Sequence, residues 1–219
     1  VQMNRLEVGV IGWGRGEEAW AVDYHVINGD PAQAAVWEML DEYLLTPIQT
    51  SSGKAQSIRA CAVDSGGHHT QEVYRFCANK VRRHVFAIKG ASTAGRPVLG
   101  KPSDVEVSHQ GKKLKSGAQV WMVGTDTIKN LLFGRLRVGQ PGPGFIHLSK
   151  DLPHTFFEQL TSEILVTKWR KGRPVREWVL KSGRRNEALD LMVYNVAAAH
   201  KLGIYKLQEI DWQRLEAAA

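Results

Sequence analysis

The spacing of apolar positions changes several times along the chain, and each change marks a predicted element. Residues 4–13 alternate as a strand, and 18–29 read as its antiparallel partner across a Gly14-Arg15-Gly16 turn. Asp30-Pro31 predicts a helix start, with a capping residue followed by proline at the first position. Val36, Leu40, Tyr43 and Leu44 then supply a buried stripe that runs up to Pro47. Ile58, Ala60 and Ala62, with Cys61 and Val63 between them, form an apolar run read as a buried strand. That strand ends on Asp64, turns through Ser65-Gly66-Gly67 and enters a helix with Val73, Phe76 and Cys77 on one face. Residues 84–89 are a second apolar strand, so the unit over 57–89 is predicted parallel and right-handed.

Residues 91–117 are rich in Gly, Pro, Ser and Lys, with Lys112, Lys113 and Lys115 clustered, and read as a long basic loop or ragged hairpin. A strand at 119–124 precedes Thr125-Asp126-Thr127 and a helix carrying Ile128, Leu131, Leu132 and Leu136. A break at 140–144, a short strand at 145–148 and a short helix at 153–163 follow. Residues 165–180 alternate on both sides of Gly172-Arg173-Pro174 and predict a hairpin, with Trp169 and Trp178 read as its packing. The strongest helix covers 186–202 and is closed by Gly203, with Leu189, Val193, Val196, Ala197 and His200 at three- and four-residue spacing. These elements make one domain over 1–205 and a tail over 206–219. The order strand, strand, helix, strand, helix, strand is that of a ribonuclease H-like α/β fold, a central mixed sheet flanked by helices, provided one further strand precedes it.

At 219 residues the chain is long enough for one well-buried core, and 43% hydrophobic residues with seven Trp argue for a folded globule and not a disordered tail. Its 29 basic against 22 acidic residues leave +7, which favours a polyanionic partner. Cys61 and Cys77 both fall at buried positions and read as core thiols of a reducing compartment. No apolar run approaches the roughly 20 residues of a membrane span and no signal peptide is visible, so the expected location is the cytoplasm.

A carboxylate at the carboxyl end of a central strand, beside two glycines, stands where open α/β sheets place their chemistry. Phosphodiester cleavage needs an activated water, charge neutralisation and an in-line leaving oxygen, and two divalent ions about 3.5–4 Å apart on a few carboxylates provide all three. Such hard oxygen ligands suit Mg2+ or Mn2+. The candidate metal and catalytic acids are Asp64, Asp190 on the late helix and Asp126 at the start of the middle one. The competing reading makes Asp64 a turn residue and Asp126 an ordinary cap. His68, His69, Glu187 and Lys129 are candidate supporting positions, although a turn-borne His pair and a helical Lys also suit a solvated surface. Lys168, Arg170, Lys171, Arg173, Arg176, Lys181, Arg184 and Arg185 lead straight into Asp190, where a nucleic-acid backbone would lie. Other chemistries lack their patterns. Gly12, Gly14 and Gly16 lack nucleotide-loop spacing, and Ser51-Ser52-Gly53-Lys54 lacks the earlier glycine of a phosphate loop. There is no zinc-ligand cluster and no Gly-x-Ser-x-Gly elbow.

The series NRLEVGVIGWGRGEEAW, AVDSGGHHTQEVYRFC, VFAIKGAS, VGTDTIK and RRNEALDLMVY resembles the lambda-type (GpA family) large terminase subunits of tailed bacteriophages. The resemblance runs in order to about Leu202 and concerns the carboxyl-terminal nuclease domain. It implies a ribonuclease H-like endonuclease that binds two divalent cations, Mg2+ or Mn2+, and cuts concatemeric double-stranded viral DNA in the infected host cytoplasm. It further implies a separate amino-terminal ATPase domain, a small terminase subunit and a portal as partners. Asp64 matches the family's acid at the end of the central strand, Asp190 its acid on the late helix, and Asp126 a motif of this branch. The family's first acid, in a segment reading Asp-Val-Gln, would fall immediately before Val1-Gln2. The rival readings are a DNA-binding or docking module with structural acids, and another ribonuclease H-like enzyme such as a recombinase or a resolvase.

Overall fold

Alternation at the start of the chain produces β1 (Arg5–Trp13) and β2 (Ala19–Asn28), paired antiparallel around a short 3-10 turn at Arg15–Glu17. The computed structural model describes residues 1–50, 53–106, 108–109, 112–113 and 118–217. Val10 pairs with Asp23 but Ile11 pairs with Ala21, so Val22 is an extra residue in β2. That bulge reverses which side chains face which side of the sheet. Ala19 and Ala21 therefore enter one apolar cluster, while Ile27 enters the other.

Helix α1 (Ala34–Leu45) begins later than its Asp30-Pro31 signal predicts. The Asp30 carboxylate accepts the Ala32 N–H at 2.9 Å and the Asp30 carbonyl accepts the Gln33 N–H, closing a turn in front of the helix. A two-residue ladder, β3 (Ile48–Gln49) with β4 (Ala55–Gln56), spans the half phosphate loop, whose Ser51 and Ser52 lie outside the described residues.

The predicted parallel unit is present. β5 (Cys61–Asp64) leads into α2 (Thr70–Ala78) and then β6 (Val85–Gly90), which runs parallel to β5. The basic segment expected over 91–117 is a ragged hairpin. β7 (Leu99–Val105) returns, past the short β8 (Ser108–His109) and β9 (Lys112–Lys113), to pair antiparallel with β10 (Ala118–Val123). Lys115 lies outside the described residues. β10 also runs parallel to β6, giving the order β5-β6-β10-β7.

Three elements bring the chain back over these strands: α3 (Thr125–Arg135), β11 (Ile146–Leu148) and α4 (His154–Leu160). β11 joins β2 in parallel, so a three-stranded sheet β1-β2-β11 stands beside the four-stranded one. The single central sheet expected from the element order is thus divided, because the four-residue β5 pairs only with β6 and shares no ladder with β1 among the described residues. Helix α5 (Glu187–Leu202) packs on both β1 and β5. Gly9 lets it approach: a Cβ there would sit 3.2 Å from Leu191 Cβ, and Asn195 donates to the Gly9 carbonyl at 3.0 Å.

Alternating residues of β6 show how the layers are held. Phe86 and Ile88 join α3, α4 and α5 in one cluster, while Val85 and Ala87 join α1 and α2 in the other. Leu189, Met192, Val193 and Val196 of α5 are all buried, and such side chains contribute about 1.5–3 kcal/mol each relative to exposure. Gly203 ends α5 with φ of 73°, a conformation glycine adopts without strain. The tail is not unstructured: α6 (Glu209–Ala217) buries none of its own residues and is tied back by Arg15, which pairs with Glu209 and Glu216.

The hairpin β12 (Glu163–Arg170) with β13 (Arg173–Leu180) forms its own two-stranded sheet. Glu163 opens this hairpin and does not close the preceding helix as its sequence position suggested, because α4 stops at Leu160.

Candidate active site

Asp64 is the last residue of β5, and the turn after it is pinned to the neighbouring strand. The Ser65 N–H and hydroxyl both donate to the Ile88 carbonyl, at 2.9 and 2.8 Å. Gly66 donates its N–H to Asp64 Oδ1 at 2.9 Å, and a Cβ at Gly66 would lie 3.2 Å from that oxygen. Glycine here lets the backbone hold the carboxylate closely, with the Thr70 hydroxyl closing the turn against the Ser65 and Gly67 carbonyls.

Helix α5 brings Asp190 and Tyr194, one turn apart, to the same place. Tyr194 lies in the field of Asp64 and Asp190, and burial together with those charges raises its hydroxyl pKa far above the tyrosine range. The Asp190 carboxyl is pushed up to about 6, chiefly by burial; Lys129 opposes the rise, while Glu163, Asp64 and Glu187 reinforce it. Asp64 and Asp190 therefore lie in each other's field, where burial and neighbouring negative charge both disfavour a charged Asp190.

Lys129 holds the wall of this space. Its Nζ lies 2.7 Å from both Glu163 carboxylate oxygens and 3.8 Å from Asp190 Oδ1. Glu163 is 5% exposed and takes a further hydrogen bond from Asn186 at 2.8 Å. Glu7 on β1 forms a second paired carboxylate nearby. Burial works against its ionisation, but the Tyr24 hydroxyl, Arg5 and Arg185 hold its carboxyl below the usual range. The nitrogen of Val1 lies among these groups, in the field of Asp64, Glu7, Asp190 and Glu187. Among the described residues, no group of three or more His, Cys, Asp and Glu side chains is arranged to hold a metal ion.

The remaining sequence candidates fall in different places. Asp126 accepts the Gly95 N–H at 2.8 Å, and Thr127 donates to the Arg96 carbonyl at 2.7 Å, so this motif ties down the segment before β7. Neither His68 nor His69 makes a side-chain hydrogen bond or ion pair among the described residues. Lys129 is not the solvated surface lysine its helical position suggested; its side chain is 11% exposed, because α3 lies against both Glu163 and α5. Several of the basic residues are occupied. Lys168 and Arg170 pair with Glu177, Arg184 with Glu158, and Arg185 with Glu7 and Glu187, while Lys181 donates to the Thr161 carbonyl. Lys171, Arg173 and Arg176 have no carboxylate partner among the described residues. Trp178 packs as expected, stacked on Phe133 at 4.4 Å, but Trp169 does not: it is 73% exposed because the hairpin outruns α3. Cys61 and Cys77 are free thiols, and burial pushes the Cys61 thiol up to about 12.

Residues 1–212 match the family of the terminase large subunit gpA, endonuclease domain. The chain belongs to that family. It is 35% identical over 205 residues to the large subunit of the terminase of Escherichia phage lambda, and 34% identical over 206 residues to that of Enterobacteria phage P21. Each alignment covers 90% of this chain, which spans only 30% of the length of either relative. No solved structure is significantly similar to it. No helix among the described residues is long and apolar enough to cross a membrane.

Within this endonuclease-domain chain, the residues that sequence reasoning missed are Tyr194, Glu163, Asn186 and Glu7. Only Tyr194 carried a local signal, its four-residue spacing from Asp190 on the same helix. Glu163 and Glu7 carry none, since their partners, Lys129 and Arg185, are remote in sequence.

Proposed function

We propose that this chain is a metal-dependent endonuclease that cuts concatemeric double-stranded viral DNA, acting as the nuclease part of a terminase large subunit that packages DNA. What supports the reading is that Asp64, at the end of a central parallel strand, and Asp190, on a distant helix, lie in each other's electrostatic field. The parallel β5–β6 unit, the antiparallel β1–β2 hairpin and the α5 cover support a ribonuclease H-like arrangement.

The residues present fit a hard divalent cation. Two carboxylates share a buried space in which Asp190 resists ionisation, and a Mg2+ or Mn2+ ion would relieve that excess charge. Asp64 and Asp190 would hold it, and when bound it would polarise a phosphate oxygen and lower the pKa of an attacking water. A second cation, expected from the family resemblance, calls for another carboxylate. The protein's own residues have distinct roles. Gly66 orients Asp64, while Lys129 and Glu163 keep Asp190 in place and bound the site with a fixed ion pair. Lys171, Arg173 and Arg176 are free to receive the DNA backbone. In the full-length protein the partners would be an ATPase domain, a small terminase subunit and a portal.

Heating the chain with and without Mn2+ tests the site. At a free concentration about 100 times Kd, the ion adds about 2.7 kcal/mol to stability, and Asp64→Asn abolishes the gain. Supercoiled plasmid supplies the activity measurement: Mn2+-dependent nicking that Asp64→Asn and Asp190→Asn remove. The competing reading, a DNA-binding module without catalysis, is favoured by the lack of a three-acid group among the described residues. It predicts duplex binding with neither nicking nor stabilisation by the ion, and retention of both by the Asp64→Asn variant would also sink the proposal.

A further inference from the structure

The two faces of the β12–β13 hairpin differ along their length. Register places Glu163 opposite Leu180, Leu165 opposite Trp178, Thr167 opposite Arg176 and Trp169 opposite Pro174, all on one face. This face starts in the acid site, where Glu163 binds Lys129. It is then covered by α3, where Trp178 stacks on Phe133 and its indole N–H donates to Asn130 at 3.2 Å. Beyond Trp178 the same face is bare: Thr167, Arg176 and Trp169 are all exposed. On the opposite face Lys168 and Arg170 share the one carboxylate of Glu177, which compensates half of their charge. The charge left unpaired at the outer end is that of Lys171, Arg173 and Arg176, and Arg176 shares the face of Trp169.

A large indole held out in water beside unpaired cations, at the far end of the hairpin face that begins at Glu163, has the chemistry of a nucleic-acid platform. Its flat ring can stack on or wedge between bases while the guanidinium binds phosphate. Pro174 opposite Trp169 removes a backbone donor at that point, which keeps the tip from recruiting a further strand.

We propose that Trp169 is a DNA-engaging wedge that, with Arg176, fixes the duplex at a second point away from the cut and so sets the register of cleavage. The proposal rests on the nuclease reading above. Six residues separate Glu163 from Trp169, which at about 3.3 Å per strand residue is about 20 Å. On a duplex rising about 3.4 Å per base pair, the contact falls about six base pairs from the scissile phosphate.

The test uses the chain with a 30-base-pair duplex carrying 2-aminopurine at successive positions, with Ca2+ in place of Mg2+ for binding and Mg2+ for cleavage. Trp169→Ala should weaken duplex affinity about 10-fold, while Trp169→Phe retains most of it. The thermal midpoint should barely move, since most of this indole is exposed. 2-Aminopurine emission should change at one position about six base pairs from the cut and fall silent in Trp169→Ala, whose cut sites should spread. Arg176→Ala should lower the slope of log affinity against log salt by about 1, whereas Trp169→Ala leaves the slope unchanged. Unchanged affinity, emission and cut position in Trp169→Ala, with cleavage intact, would overturn the wedge and leave the nuclease standing. A wild-type chain that neither binds nor cuts the duplex removes both.

Discussion

The inner and outer halves of one hairpin use the same residue types to opposite ends. At the root, Glu163 and Lys129 form a buried pair and Trp178 is stacked under α3; toward the tip, Glu177 pairs with exposed Lys168 and Arg170 while Trp169 stands in water. A buried ion is costly when its partner is lost, whereas a surface pair contributes little. The root is thus where stability and site geometry are held, and the tip is where surface is left available for a partner.

Breaking the acids proposed to hold the metal should have the largest effect. Asp64→Asn should reduce Mn2+-dependent nicking by about 1,000-fold or more, measured as initial rates on supercoiled plasmid. Next is the root pair: Glu163→Ala leaves Lys129 buried without its main partner and should cost about 3–5 kcal/mol in urea unfolding. Smaller is the contrast between tryptophans. Trp178→Ala should cost about 2–3 kcal/mol, less than a fully buried ring because Trp178 is half-buried, and Trp169→Ala within about 0.5 kcal/mol. Equal losses from the two would erase the distinction between root and tip.

A gain is expected at Asp190. Its carboxylate is buried among Asp64, Glu163 and Glu187, so the fold disfavours its charge, and the raised pKa means that removing the charge at neutral pH stabilises the folded state. Asp190→Asn should therefore be about 1 kcal/mol more stable than the wild type in EDTA, and less stable than it at saturating Mn2+. Smallest of all, Glu177→Gln should leave the thermal midpoint unmoved while strengthening DNA binding, read by anisotropy, as Lys168 and Arg170 are released.

Which of these features could be read early depends on how local their causes are. The β1–β2 hairpin, the β5–α2–β6 unit and α5 each follow from periodicity and turn chemistry within a dozen or so neighbours. Asp64 was legible for the same reason, as a carboxylate ending an apolar run before two glycines. Helix α1 starts at Ala34 and not at the Asp30-Pro31 signal because Asp30 spends its carboxylate and carbonyl on a turn. The division of the sheet and the Val22 bulge depend on pairing between remote strands, which no local pattern specifies.

The order of elements was set by the sequence alone, since side-chain period and residue order carry it, and the family followed from the resemblance of whole segments. Tertiary structure alone decided that Lys129 would be buried between Glu163 and Asp190, that Tyr194 would be buried in the field of both acids, and that Trp178 would be covered while Trp169 was not. The physical reason is that charge pairing and desolvation depend on distance through space, and a chain's neighbours in space are settled only when its layers pack.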